Sequence, residues 1–300
     1  MKRLAVIANP HKAGAPEALE QLHRWAAKHG VSICSNLDET GGAAEPPARA
    51  FDAQRREALA RRFADCDAAV TLGGDGTLLY AVHIIGPLGI PVLPVNLGSL
   101  GFHTQATSDT MLRCLTAVAD GDFITEPRLL LETSIEKANG SSADNTAQPR
   151  MLALNDVVVS KRVWGRMVHL TVLVDGHTVS NVSADALLVS TPTGSSAYNY
   201  AAGGPILAPS LDAIVLNAVC PHRISFSPLV LPGRCAVRVQ LQQRKPLELA
   251  QVLVDGQPWL DALEDETLKI SRADVYLPLI TFQDDFFRKL REKLAWGGLN

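Results

Sequence analysis

In the stretch TLGGDGTLLYAV, residues 71–82, three glycines surround a single acid, Asp75, between an apolar run and a helical pattern. A strand-to-helix junction is where α/β sheets bind ligands. Backbone N–H groups at a helix start favour anions, and Gly73, Gly74 and Gly76 let phosphate oxygens approach them closely. A carboxylate in such a loop repels phosphate. It makes sense where a hydroxyl must be held and deprotonated beside the phosphate, or where a metal ion lies between; both belong to phosphoryl transfer. The competing reading is that Asp75 caps a helix over 77–86 and the glycines form a turn. The pattern is neither GxxxxGK[ST] nor a GxGxxG after the first strand, which disfavours a P-loop NTPase and a standard dinucleotide fold.

A second stretch, STPTGSSAYNYAAGGPI (190–206), follows a strand. Its small hydroxyl residues around Gly194 offer backbone and hydroxyl contacts to a polar ligand, and Tyr198 offers a ring to pack on a base or ribose. The competing reading is a Gly/Ser turn with Tyr198 in the core. Asn155 and Asp156 interrupt the apolar strand LALNDVVVS, and a polar pair there needs partners, from a ligand or from the chain. Asp185 lies among Ala and Leu, as a ligand contact or a strand-end turn residue.

The elements that must position these residues fall into two textures. Up to about residue 128, apolar runs at 3–8, 31–34, 68–72 and 90–95 alternate with helical patterns at 15–29, 48–64, 77–86 and 111–121. That alternation predicts βαβ units and a parallel sheet; 38–47 reads as a Gly/Pro loop. Beyond it, short runs rich in β-branched residues (RLLLETSIE, LALNDVVVS, VHLTVLVDG, ALLVST, AIVLNAV, CAVRVQLQ, LELAQVLVDG) predict an antiparallel β-rich domain. The Asp-Gly pairs at 175–176 and 255–256 suit tight hairpin turns, and 138–149 reads as a polar hairpin loop. In the tail, DDFFRKLREKLAW (284–296), Phe286, Phe287, Leu290 and Leu294 at helical spacing predict a one-faced helix that docks on the first domain. The expected fold is thus an α/β N-terminal domain with a parallel sheet (1–127), a β-rich C-terminal domain (128–281) and a returning C-terminal helix (282–300).

A chain of 300 residues with 47% hydrophobic and 20% charged residues buries a real core in one large or two modest domains. Net charge of −3 provides no basic field for nucleic acid or an anionic membrane, and no apolar run is long enough to cross a bilayer. MKRLAVIANP reads as a first strand and not a signal peptide. Cys34, Cys66, Cys114, Cys220 and Cys235 lack metal or disulfide spacing and read as buried thiols of a cytoplasmic protein. Trp164, Trp259 and Trp296 read as packing or interface residues.

Taken together these stretches resemble the NAD kinase family. Its GGDG loop, its Asn-acid pair opening a strand and its TPTGSTAY-like segment followed by GGP have counterparts in Gly73–Gly76, Asn155-Asp156 and residues 191–205, in that order. NLGSLGF (96–102), CPHRISFSPLVLP (220–232) and the tail FFRKLREKLAW look like further family stretches. The likeness runs from about residue 68 to the C-terminus, and residues 9–67 match in general layout only. The resemblance implies transfer of the γ-phosphoryl group of ATP, with Mg²⁺, to the 2′-hydroxyl of the adenosine ribose of NAD, in a cleft between the two domains. It implies Asp75 as proton acceptor and Gly73, Gly74 and Gly76 as the phosphate-approach loop. It also implies Asn155 and Asp156 on adenosine and ribose, and Asp185 near the nicotinamide end. By the same resemblance Thr193, Ser196, Ala197 and Tyr198 are expected to line adenine and ribose, and Phe102 and His103 to lie beside the adenine. Arg166, His222 and Gln257 are weaker matches to dinucleotide contacts. Relatives are generally homodimers or homotetramers joined through the β-domain, and some accept polyphosphate.

Four positions depart from the family. Ala186 follows Asp185 where Gly is usual, which demands ordinary backbone angles there. Ser99 stands where Arg or His is frequent, Gln105 where Asp is, and Ser183 where some relatives carry Arg, which removes a cation near the ligand. Two other readings use the same loop: a diacylglycerol- or sphingosine-type lipid kinase, which shares GGDGT but should lack TPTGSSAY, and a catalytically silent NAD(H)-binding sensor.

Overall fold

The computed structural model describes residues 1–37, 53–98, 101–137, 150–162, 166–223, 226–242, 250–260, 266–282, 286–294, 296 and 298. The expected loops at 38–47 and 138–149, Ser99 and Trp164 lie outside the described residues. The chain forms two compact units, Met1–Pro127 with Leu277–Asn300, and Arg128–Tyr276.

The first unit alternates strand and helix: β1 (Arg3–Ala8), α1 (Ala15–His29), β2 (Ser32–Ser35), α2 (Ala53–Phe63), β3 (Ala68–Gly73), α3 (Asp75–Ile85), β4 (Val92–Asn96), β5 (Ala106–Thr107) and α4 (Met111–Asp120). The strands pair in the order β2-β1-β3-β4, all parallel, with β5 beside β4. Every residue of β3 is buried, as expected of a continuous apolar run covered on both faces. In α1, Pro16 sits in the first turn, where a missing N–H costs nothing, and Gly30 closes the helix at φ 66°. Its buried Ala18, Leu22, Trp25 and Ala26 share one stripe and pack with Val6, Leu72 and Leu93. Trp25 Nε1 donates to Thr116 Oγ1 of α4 at 2.9 Å, which satisfies the indole.

The second unit is built from β6 (Ile124–Lys137, from Arg128 on), β7 (Met151–Ala153), β8 (Asp156–Lys161), β9 (Val168–Val174), β10 (His177–Ala184), β11 (Ala186–Ser190), α5 (Tyr198–Ala201), β12 (Ala213–Val219), β13 (Leu229–Pro232), β14 (Val237–Leu241), β15 (Ala250–Val254), β16 (Gln257–Leu260) and β17 (Glu266–Thr281, as far as Tyr276). Six of these make a wholly antiparallel layer, β13-β12-β11-β8-β15-β16. Strands β10-β9-β14-β17 form a second group, in which β6 pairs both β17 and β7. Asp175-Gly176 and Asp255-Gly256 turn the β9–β10 and β15–β16 hairpins with φ of 49°, 83°, 50° and 76°. Two successive positive φ values match the twist of the flanking strands, and Asp-Gly accepts them cheaply.

Four expectations need correction. The single strand expected over LALNDVVVS breaks into β7 and β8, with Leu154 and Asn155 between them. Strands β10, β13, β16 and β17 are not among the expected runs, although LVLP in β13 and VYLPLI in β17 are apolar; β10 is largely exposed and is held by its hairpin register with β9. The tail helix α6 (Phe286–Leu294) belongs to the first unit, with the Phe286 ring edge-on to Phe102 at 6.4 Å, but Phe287 is 71% exposed. Lys289 takes the buried place instead and donates from Nζ to Thr104 O at 2.8 Å. Of the thiols expected to be buried, Cys220 is exposed and Cys34 half-buried. No described helix is long and apolar enough to cross a membrane.

Candidate functional site

At the end of β3 the chain turns into α3 through Gly73 and Gly74, and Asp75 is the first helical residue. Gly74 is extended (φ −154°), and its carbonyl takes the first helix N–H groups, from Thr77 and Leu78 at 3.0 and 3.3 Å. Asp75 does not cap its own helix. Its carboxylate turns to another segment of the same unit, accepting the backbone N–H of Phe102 at Oδ2 (2.9 Å) and of His103 at Oδ1 (3.1 Å). Each oxygen keeps lone pairs for a further donor.

The glycines differ in why they are bare. A methyl group on Gly73 would lie 2.8 Å from Thr77 Cβ, so packing inside the turn already excludes it. A methyl group on Gly101 would lie 2.7 Å from Asp75 Cγ, so Gly101 is what admits the acid to the Phe102 and His103 amides. At Gly74 and Gly76 an added methyl meets no atom within 4 Å, and neither residue has a positive φ. Neither packing nor backbone conformation asks for glycine at those two positions. Their peptide groups are left bare of side-chain cover.

In the second unit, the break between β7 and β8 is gripped from two sides. The Asp255 carboxylate accepts the N–H groups of Leu154 (2.9 Å), Asn155 (2.7 Å) and Asp156 (3.2 Å), and Asp255 N–H donates to Asp156 O at 2.9 Å. Just past β11, Thr191 N–H donates to Asn155 O at 2.9 Å, and Thr191 Oγ1 donates to Leu154 O at 2.5 Å. A methyl group on Gly194 would run into the Asn155 backbone, so that glycine lets the following loop lie against it. Within the loop, Ser195 Oγ donates to Pro192 O (2.6 Å) and accepts Leu207 N–H (2.8 Å). The buried Asn199 amide donates to Ser195 O (3.1 Å) and Pro205 O (2.9 Å). Much of the TPTGSSAYNYAAGGP segment is thus internal architecture.

Two side-chain atoms at the centre of this frame are buried with no hydrogen-bond partner among the described residues, Asn155 Oδ1 and Thr193 Oγ1. Such a group costs about 1–3 kcal/mol when nothing meets it. Beside them Asp156 is buried; burial, and then the charge of Asp255, push its carboxyl up to about 7. Burial raises Asp255 to about 6, while its three N–H donors pull the other way and favour its anion. Tyr198 is 43% exposed and not in the core; burial of its hydroxyl and then the charges of Asp156, Cys220 and Asp185 raise its pKa.

Asp185 is met by a cation from β8, Lys161 Nζ at 2.6 Å. A positive charge therefore stands on this acid although position 183 is Ser. Ser183 Oγ instead meets His169 Nδ1 at 2.6 Å, and Ser183 O accepts His222 N–H at 2.8 Å. Ala186 lies in β11 with ordinary strand geometry, as its side chain demands. Gln105 Oε1 accepts the Thr281 hydroxyl at 3.3 Å and so serves the fold.

The structure therefore brings together Asn155, Asp156, Thr193 and Tyr198, with Ser196 and Ala197 in the same loop and Asp185 near the Tyr198 hydroxyl. Gln257, exposed, follows the turn that holds Asp255. His222 and Arg166 are exposed, and among the described residues no contact joins Arg166 to the group. In the first unit, Gly73, Gly74, Asp75, Gly76, Phe102 and His103 form one cluster. Asp255 and Lys161 are absent from the sequence expectations. The Asp-Gly turn was the one signal for Asp255; Lys161 has none, because its partner lies across a strand pair.

Residues 4–123 match the family model of the ATP-NAD kinase N-terminal domain, and residues 154–282 that of the ATP-NAD kinase C-terminal domain. The likeness thus reaches into the first 67 residues, beyond the general layout expected of them. An NAD kinase from Gemmatimonas aurantiaca is 43% identical over 235 residues, 78% of this chain and 79% of that protein. One from Koribacter versatilis is 34% identical over 297 residues, 99% of each. Among solved structures, yeast NADH kinase complexed with NADH superposes with a TM-score of 0.83 at 22% identity, covering 100% of this chain and 89% of that one. An NAD kinase from Archaeoglobus fulgidus in complex with ATP gives 0.71 at 22% identity, with 98% of each covered.

Proposed function

The chain belongs to the NAD kinase family, and from that premise we propose how its residues divide the reaction. The protein is an NAD kinase: ATP is the phosphoryl donor and NAD the acceptor. The lipid-kinase and silent-sensor readings have no support from its relatives.

In our reading the 2′-hydroxyl of the adenosine ribose attacks the γ-phosphorus. The new bond runs from the 2′-oxygen to phosphorus, the bond to the β–γ bridging oxygen breaks, ADP leaves, and the hydroxyl proton passes to Asp75. A ribose hydroxyl is far less acidic than a carboxyl, so the proton moves as the P–O bond forms and not before. Two backbone N–H groups hold the Asp75 carboxylate in one orientation and leave lone pairs for the hydroxyl. Gly74 and Gly76 give the donor phosphates the room that a side chain would occupy. This pairing of an oriented acid with bare peptide groups carries the reading.

Asn155 Oδ1 and Thr193 Oγ1 are the buried polar atoms that a bound adenosine would satisfy, with Asp156 and the exposed ring of Tyr198 beside them. Ser196, Ala197, Phe102 and His103 complete the adenosine surroundings in this reading, and Arg166, His222 and Gln257 are further dinucleotide contacts. Asp185, with Lys161 on it, stands at the nicotinamide end. In our reading Mg²⁺ comes with the ATP phosphates, as the family resemblance implies. Held there, it would supply charge neutralisation to the donor phosphates. We also read the protein as cytoplasmic and as a homodimer or homotetramer, on the family resemblance.

The test is direct. Purified protein is incubated with NAD, ATP and Mg²⁺, and NADP is read through an NADP-specific dehydrogenase. Steady NADP production is expected. Phosphorylation of a diglyceride without NADP, or NAD binding without turnover, would replace this reading with one of the other two.

A further inference from the structure

We propose that Lys12 is a phosphate-binding residue for the donor, set across the seam of the parallel sheet from the Gly74–Gly76 loop. The proposal rests on the reading of that loop as the donor's phosphate loop. Strands β1 and β3 are neighbours, yet the chain leaves β1 toward β2 on one side and β3 toward β4 on the other. At such a switch point the two connections diverge, and the loops beyond the carboxyl ends of both strands border a crevice. Lys12 lies in the first loop and Asp75 opens the helix after the second.

The loops are tied to each other. Asn9 N–H donates to Leu72 O at 3.0 Å, and Asn9 shapes its own turn by accepting His11 N–H at Oδ1 (3.0 Å) and Lys12 N–H at its carbonyl (3.1 Å). Past β4 a third strand end joins them: Leu97 N–H donates to Gly73 O at 2.9 Å, and Gly98 N–H to Asn96 Oδ1 at 2.8 Å. A methyl group on Gly98 would lie 3.7 Å from both Cε and Nζ of Lys12. The ammonium therefore sits against the residue that follows the Leu97–Gly73 bond, at the base of the glycine loop.

Charge makes the same point. A polyphosphate laid on this loop meets a carboxylate at Asp75, and peptide dipoles bring only partial positive charge against it. Lys12 is exposed, its side chain holds no element in place, and among the described residues no carboxylate pairs with it. A compact ammonium with three donors on a flexible stem suits the oxygens of a terminal phosphate.

Two measurements test this. Inorganic tripolyphosphate is titrated calorimetrically into the wild type, Lys12→Ala and Lys12→Arg. Loss of one charged hydrogen-bonding partner predicts about tenfold or greater weakening in Lys12→Ala, largely recovered in Lys12→Arg. In steady-state assays Lys12→Ala should raise the KM for ATP by about tenfold or more and leave the KM for NAD within about twofold. Equal tripolyphosphate affinity in wild type and Lys12→Ala would overturn the proposal, whether or not the protein makes NADP. So would an equal rise in both KM values. A wild type that binds tripolyphosphate through Lys12 but makes no NADP would overturn the kinase reading and leave the Lys12 site standing.

Discussion

Gly101 stands so close to Asp75 that a methyl group on its α-carbon would lie 2.7 Å from the carboxylate carbon, well inside contact distance. The neighbour in the way is the acid we propose as the proton acceptor, so Gly101→Ala either turns Asp75 off its two N–H donors or shifts the 101–103 backbone. Turnover should fall by about 10²-fold or more, since misplacing a reacting group by an ångström costs that much. The KM for NAD should change little. A variant with normal kcat would show that the Asp75 orientation is not what the reaction uses.

Asp75→Asn removes the carboxylate we propose as the proton acceptor and disturbs its cradle. An amide oxygen can accept one of the two N–H groups, but its NH₂ then faces the other, Phe102 or His103. One partly buried donor is left unmet, at up to about 1–3 kcal/mol. Loss of general-base assistance should lower kcat by about 10²–10⁴-fold while NAD still binds. Isothermal titration and single-turnover kinetics separate the two effects; retention of near-normal turnover would reject the base assignment.

Gly74→Ala separates ligand space from fold. The residue is extended and an added methyl has no neighbour within 4 Å, so thermal stability should stay within about 0.5 kcal/mol of the wild type. If donor phosphate lies against this peptide, the KM for ATP rises while the fold is untouched. An unchanged KM for ATP at unchanged stability would place the phosphates elsewhere.

Asp156 carries a pH signature. Its carboxyl is raised from an ordinary 3.8 to about 7, so in the folded state it holds a proton that the unfolded chain has released. Stability from this group is complete below about pH 4, declines as pH rises through that window, and levels off above about pH 7. Asp156→Asn cannot ionise. Its stability relative to the wild type should therefore improve between pH 4 and pH 7.5 by on the order of 3 kcal/mol, at about 1.4 kcal/mol per pKa unit. Urea titrations across that range check it, and a pH-independent difference would mean that Asp156 ionises normally.

Lys161→Met strips the cation from Asp185. Their side chains are 24% and 35% exposed, so the ion pair contributes less than about 1 kcal/mol to stability. Its effect should appear in substrate choice. NAD carries a positive nicotinamide ring and NADH a neutral one, so an uncompensated Asp185 should lower the KM for NAD relative to that for NADH. Unchanged relative KM values would remove Asp185 from the nicotinamide end.

The sequence alone determined what is local. Strand β1 and helix α1 begin and end where the patterns of RLAVIA and APEALEQLHRWAAKH do, because alternation, capping and apolar stripes are written in neighbouring residues. Both Asp-Gly hairpins are likewise where two adjacent residues accept positive φ. The glycine loop, the Asn-Asp pair and the hydroxyl-rich segment were legible as chemistry because each is a short run of unusual composition.

What the tertiary structure decided is which of those residues are free to act. Asp75 rests on Phe102 and His103, with Gly101 admitting it, and Asp255 reaches back across about a hundred residues to hold Asn155 and Asp156. Lys161 stands on Asp185 because β8 and β11 pair in one register. Of the hydroxyls in TPTGSS, Ser195 is consumed by the fold and Thr193 is left buried with no partner among the described residues. No local pattern encodes these facts. They follow from strand pairing and burial, which bring distant residues within hydrogen-bond reach and strip them of water, so that a partner's presence or absence acquires its energetic weight.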